Sequence, residues 1–155
     1  MAAVSNASPL IALVAIQRLE LIPALFETVL IPPAVAREIR RSIPAAPPWL
    51  QVQPLRAALP KIVLRRTLGD GEGEAVALAL EIHADQIILN DLAARRIAQA
   101  AGLNVVGTVG VLLGAKHVGL IDRIRPELDN LLETSFFLSP ELYTELVSAA
   151  GEFDS

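Results

Sequence analysis

At 155 residues the chain is long enough to bury the core of one domain and short for two. Apolar residues make up 53% of it and aromatics only 4%, so the expected core is layered Ala, Val, Leu and Ile, a composition that favours α/β architecture. A net charge of −4 argues against a protein that coats nucleic acid indiscriminately, and a chain with no cysteine and two histidines excludes disulfides and thiolate metal sites and disfavours zinc.

Residues 2–5, AAVS, are a short buried-strand candidate, and Ser8 followed by Pro9 reads as the N-cap and first residue of a helix reaching about Ile16. This apolar start lacks a preceding Lys or Arg and is interrupted by Ser5, Asn6 and Pro9, so it reads as strand and helix, not as a signal peptide. After the segment Leu19 to Leu25, Thr28 to Ile31 form a second apolar strand closed by Pro32 and Pro33, and Ala34 to Arg41 read as helix. Five prolines between 42 and 60 mark a loop-rich excursion with one strand candidate at Leu50 to Val52.

From Asp70 the pattern turns regular. It predicts helix 72–83, strand Gln86 to Leu89, helix 91–101, strand Asn104 to Val106 and helix 109–117. Asp122 to Glu133 and, after the Ser139-Pro140 start signal, Glu141 to Ser148 are further helices, and the last five residues are expected to fray. The apolar stretch Gly102 to Ala115 is shorter than the roughly 18 residues a membrane span requires and contains Asn104 and Thr108. No membrane partner is expected, and a cysteine-free chain suits the cytoplasm.

Strands without polar alternation, separated by helices, call for a parallel sheet covered on both faces, with ligands at the strands' carboxyl ends where the strand order reverses. The residues just after strands are Ser5, Asn6, Asn90, Asp91 and Thr108. A second signal is LGDGEGEAVALA, residues 68–79, where Glu72 and Glu74 sit in the first turn of an apolar helix. Taken alone, acids there and at Asp91 are explained by the helix dipole, worth up to about 1 kcal/mol each. Glu38, ending a helix among arginines, is explained alone by a surface ion pair. Convergence changes the balance: acids from separate βα units facing one crevice repel one another unless a cation joins them. Oxygen ligands without Cys or His select Mg²⁺ or Mn²⁺, which bridge to phosphate oxygens.

Charge is distributed unevenly. Residues 1–66 carry eight Lys or Arg against three Asp or Glu, and residues 67–155 five against fourteen. Arg40, Arg41, Arg65 and Arg66 lie in the basic half, read alone as a solvated face, whereas Arg95 and Arg96 are candidates to pair with the acids. Ser8 lacks a nearby His and reads as a cap, not a nucleophile, and His83 and His117 at helix ends read as capping or solvent-facing.

The segments SNASPLIAL at 5–13, PPAVAREI at 32–39, LGDGEGEAVALA at 68–79 and the run from Ile88 to Ile121 together resemble the PIN-domain superfamily. The resemblance is nearest to its small prokaryotic nucleic-acid-binding proteins, which are similar to the ribonuclease toxins of toxin-antitoxin operons. It implies a single PIN-like domain over residues 1–150, a three-layer α/β/α fold with a central parallel five-stranded sheet, and Mg²⁺ or Mn²⁺ held by acids for endoribonuclease chemistry. Residue by residue, it matches Glu38 to the acid ending the helix after strand two. It matches Asp91 to the acid after strand four, Thr108 to the polar residue after strand five, and Glu72, seven residues before Ala79, to the acid of the central helix, with Glu74 second. Asn6 departs from the pattern, standing where most PIN nucleases have an Asp; its amide oxygen is a candidate ligand without charge.

The expected function is thus metal-dependent hydrolysis of single-stranded RNA, with Glu38, Glu72 and Asp91 as the catalytic acids, Arg40, Arg41, Arg65 and Arg66 as candidates to hold the RNA backbone, and an antitoxin protein as a partner of a toxin. The alternative is a pseudoenzyme that binds RNA or protein because Asn6 weakens the metal site. A small-molecule phosphohydrolase ranks last for want of a nucleophile. A mean hydropathy of +0.50, high for a chain with few aromatics, predicts a homodimer.

Overall fold

The computed structural model describes residues 2–57 and 68–152. Five strands, β1 (Ala3–Ser5), β2 (Val29–Ile31), β3 (Leu50–Val52), β4 (Gln86–Ile88) and β5 (Val105–Val106), form one sheet in the order β3-β2-β1-β4-β5. Every neighbouring pair is parallel, with Val4 opposite Leu30 on one side and Ile87 on the other. Val4, Val29, Ile31, Ile87 and Ile88 are buried, as strands covered on both faces require.

Eight helices are described: α1 (Ala7–Ala15), α2 (Leu21–Phe26), α3 (Pro33–Glu38), α4 (Asp70–Glu81), α5 (Leu92–Ala100), α6 (Thr108–His117), α7 (Arg125–Leu132) and α8 (Pro140–Ala149). The connection from β1 leads towards β2 and that from β4 towards β5, in opposite directions across the sheet, so right-handed crossovers place α1 and α5 on opposite faces. Correspondingly α6 packs against α1 and α2, while α4 packs against α3, α5 and strands β1 and β4. The α/β/α layering and the five-stranded parallel sheet are therefore as expected.

Several boundaries move for local reasons. The first helix starts two residues before Pro9, with Asn6 at the N-cap position and no side-chain cap bond; Ser8 is not the cap. Leu21–Phe26, left without an assignment by the sequence pattern, is helical. Pro33 fixes the start of α3, which ends at Glu38 and not at Arg41. Helix α4 begins at Asp70, because Gly69 takes the extended N-cap conformation, and α7 begins at Arg125, three residues after the expected Asp122, where Pro126 enforces the first turn. Ser139 caps α8 as predicted, its hydroxyl accepting from the Leu142 N–H at 3.1 Å.

The expected fraying of the chain end fails at Glu152, which is 6% exposed. Its Oε2 accepts from Lys116 Nζ at 2.7 Å and the Ile124 N–H at 2.9 Å, and its Oε1 from the Arg125 N–H at 2.9 Å. The carboxylate thus satisfies free donors at the start of α7 and ties α6 to it. A second tie joins Arg18 to the buried Glu127 of α7 through a two-pronged pair of 2.8 and 3.1 Å.

Candidate functional site

The strand order reverses between β1 and β4, since β1 continues to β2 on one side and β4 to β5 on the other. At that point the backbone of Asn6 donates to Ile88 O at 3.0 Å, which fixes the end of β1 against β4. A cleft of about 1020 Å³ opens beside it, and on the sheet side its polar lining comes from Ser8, Glu72, Asn90, Asp91, Arg95 and Thr108. These residues belong to α1, α4, the β4–α5 junction, α5 and the start of α6.

Asn90, directly after buried Ile88 and Leu89, clamps these elements together. Its Nδ2 lies 3.1 Å from Ser8 Oγ and 2.8 Å from Thr108 Oγ1, and its Oδ1 accepts from the Thr108 N–H at 2.8 Å. Thr108 is fully buried and accordingly held by this side chain. Ser8, expected to cap a helix, accepts from an amide across the cleft. Gly107 lets the junction close: a Cβ there would stand 3.2 Å from Asn90 Oδ1 and 3.3 Å from Arg95 Nη1.

Of the acids, Asp91 is the N-cap of α5, accepting from the Ala94 N–H at 2.9 Å, which leaves its other oxygen for the cleft. Glu72 reaches back to the Gly69 N–H at 3.1 Å. Burial pushes its pKa up; the Gly69 bond opposes this, and the charges of Asp91 and Glu38 raise it further. Glu38, exposed at the end of α3, lays its carboxylate on Gly71, where an added Cβ would collide with Oε1. Glu74 faces elsewhere: its Oε1 accepts from the Ala34 N–H of α3 at 3.3 Å, so of the two candidates in this turn Glu72 is the one that lines the cleft.

Asn6 is 4% exposed, and its Oδ1 has no hydrogen-bond partner among the described residues. A buried, orphaned amide oxygen is costly, by about 1–3 kcal/mol. Among the described residues no group of three or more His, Cys, Asp or Glu side chains is close enough to hold a metal ion. The acids are linked pairwise through Glu72 and do not converge on a point.

The arginines divide. Arg95 lines the cleft and forms no ion pair among the described residues, and Arg96 is exposed on the same helix. Arg40 and Arg41 are exposed in the turn after α3, outside the cleft lining. Arg65 and Arg66 lie outside the described residues. His83, with φ of 53°, and His117 are exposed at helix ends. Sequence reasoning placed Asn90 just after a strand, at the expected ligand edge, but gave it no role; its bonds to Ser8 and Thr108 supply one. It passed over the apolar half of the lining, Phe136, Phe137 and Leu138 among it, for which no local pattern exists.

No helix among the described residues is long and apolar enough to cross a membrane. No protein of curated function matches the chain. Among solved structures it is similar to a PilT N-terminus domain protein from the hyperthermophilic archaeon Sulfolobus solfataricus, with a TM-score of 0.56 and 19% identity over 74% of this chain and 93% of the other. At that identity the likeness concerns the fold. Residues 2–152, nearly the whole chain, match the family DUF3368, described as a PIN domain. A match over that length, on a parallel sheet with its acidic cleft at the reversal of strand order, settles the assignment: the chain belongs to this family of PIN domains.

Proposed function

We propose that the chain is a divalent-metal-dependent endoribonuclease that hydrolyses single-stranded RNA. The observation that carries the reading is the meeting of Glu72 and Asp91, from two separate junctions of the fold, in one cleft at the point where the strand order reverses. The donor chemistry fits Mg²⁺ or Mn²⁺. Every candidate ligand is an oxygen, Asn6 Oδ1 lacks a partner, and the Glu72 carboxylate is pushed towards protonation by burial and its acidic neighbours. That the acids do not converge accords with an ion that keeps most of its waters and takes only one or two carboxylates.

Asp91 and Glu72 would hold the ion, with Glu38, Asn6 and Thr108 as further oxygen donors near them. Bound there, it would supply a hydroxide-like water and charge for the leaving oxygen of a phosphodiester. The chain's own residues set the geometry. Asp91 is fixed by its cap bond, Thr108 by Asn90, and Arg95 offers a guanidinium to a phosphate beside the acids. Arg40, Arg41, Arg65 and Arg66 would extend the contact along the RNA backbone. A homodimer and an antitoxin partner belong to the same reading, supported by exposed Leu113, Val118 and Leu120 late in the chain.

Titration calorimetry with Mn²⁺ and cleavage of end-labelled single-stranded RNA test it together. Heat of binding and cleavage, both lost in Asp91→Ala and both abolished by EDTA, are expected. Cleavage that persists in EDTA, or the absence of Mn²⁺ binding by the wild type, sinks the metal mechanism. RNA binding without cleavage favours the pseudoenzyme, a reading that the uncharged Asn6 and the dispersed acids support.

A further inference from the structure

The cleft that holds the acids has a second, apolar lining that the hydrolytic reading leaves unused. It is contributed by Ile11 of α1, Leu142 of α8 and the segment between α7 and α8 that carries Phe136, Phe137 and Leu138. The chain has only four Phe, one Trp and one Tyr, yet two of the Phe stand side by side here. Phe136 is half-buried against the core, which anchors the segment, whereas Phe137 is 85% exposed, the most exposed large apolar side chain described. Burying an aromatic ring is strongly favourable, so a ring held out beside a cleft has no stabilising role in the isolated chain.

We propose that Phe137 is a stacking platform for an unpaired base of a single-stranded nucleic acid whose backbone runs past Arg95 and the acids. The inference rests on the hydrolytic reading above. The same cleft offers, for a phosphate, a guanidinium that forms no ion pair among the described residues and, for a base, an exposed aromatic face, which is how proteins engage single strands without reading their sequence. A paired base cannot stack on a side chain without leaving its duplex, so the platform also explains a preference for single strands. A second copy of the chain would use the ring but not Arg95, and that is an outcome of the test.

The test is fluorescence anisotropy with a labelled ten-nucleotide RNA and an abasic strand of the same length, in EDTA and again in Ca²⁺. Loss of one stacked base is expected to weaken binding of Phe137→Ala about tenfold or more, with Phe137→Trp retaining affinity. The abasic strand should bind wild type and Phe137→Ala equally. In Phe137→Trp, RNA should quench indole emission beyond the change seen from Trp49 in the wild type. Equal RNA affinity of wild type and Phe137→Ala overturns the platform while leaving the hydrolytic reading in place. Failure of the wild type to bind RNA in either buffer overturns both. A Phe137→Ala protein that sediments as a monomer beside a dimeric wild type assigns the ring to contact between copies and overturns the platform.

Discussion

Two carboxylates in this chain are treated in opposite ways. Glu152, at the end of the chain, is buried, and burial alone would raise its pKa; the Lys116 ammonium and the N–H groups of Arg125 and Ile124 outweigh that and hold it at about 2 against an ordinary 4.5. Glu72, at the reversal of strand order, receives one N–H from Gly69, and burial with the charges of Asp91 and Glu38 leaves its pKa raised. The first acid is neutralised by the fold itself. The second is left with its charge unmatched, which costs stability in the free protein and suits a site whose compensating cation comes from solution.

The comparison breaks most visibly at Glu152. Glu152→Ala leaves two helix-start N–H groups without their acceptor and the Lys116 ammonium without its counter-charge, with only the Ala150 carbonyl still accepting from it, so a loss of about 2–4 kcal/mol is expected in urea unfolding. A change under about 1 kcal/mol would show that water replaces the carboxylate. The sign with pH follows from the depressed pKa. The stabilisation is complete above 4.5 and drains away as pH falls towards about 2, so the gap between wild type and Glu152→Ala should close over that range.

Next in size is Asn6→Asp. A carboxylate at a 4% exposed position whose oxygen already lacks a partner should destabilise the protein by about 1 kcal/mol or more in EDTA. With Mn²⁺ the added charge should strengthen binding and reverse the change in Tm. Equal destabilisation in both buffers would place the cation, if bound, away from the end of β1.

Gly71→Ala separates placement from stability. Gly71 is the second residue of α4, so only part of the gain of about 0.5–1 kcal/mol that Gly→Ala brings inside a helix applies, and the atom that a Cβ meets is the far end of the Glu38 side chain, which is exposed and free to swing away. The variant should be as stable as the wild type or slightly more so, and yet bind Mn²⁺ less well because Glu38 has left Glu72. Unchanged Mn²⁺ affinity would remove Glu38 from the site.

How much of this was readable beforehand depends on range along the chain. The five strands and most of the helices between them follow from local apolar runs and punctuation, such as Pro33 and Ser139-Pro140, while Leu21–Phe26 carries no such signal; Asp91 was legible as an acid opening a helix because the N–H it caps is three residues away. Ser8 was misread because Asn6 and Ser8 are both good N-cap residues, and only Asn90, 82 residues away, shows what Ser8 bonds to. Glu152 looked like a fraying end because its partner Lys116 is 36 residues distant. Glu72 and Glu74 share a turn, and only their spacing to Ala79 ranked Glu72 first; the bond from the Ala34 N–H to Glu74 turns the latter away from the cleft. The family resemblance put Glu72 ahead of Glu74, and Glu72 is the one that lines the cleft, but it carried no information on Phe137, whose segment acquires its place from α7 and α8.

The smallest expected effect is the most direct reading of the contrast. Glu72→Gln keeps an acceptor for the Gly69 N–H and removes the charge that Asp91 and Glu38 oppose. Because the folded-state pKa of Glu72 lies above its ordinary 4.5, its ionised form is penalised by folding; the penalty is absent well below pH 4.5 and complete once pH has risen past the folded-state value. In EDTA at neutral pH the Gln variant should therefore melt above the wild type, and the difference should vanish on acidification. In Mn²⁺ the order should invert, since a ligand that binds only the folded wild type stabilises it according to its concentration over Kd, and the variant has lost a ligating charge. A Gln variant less stable than the wild type in EDTA at neutral pH would mean that Glu72 is already compensated, and the distinction from Glu152 would disappear.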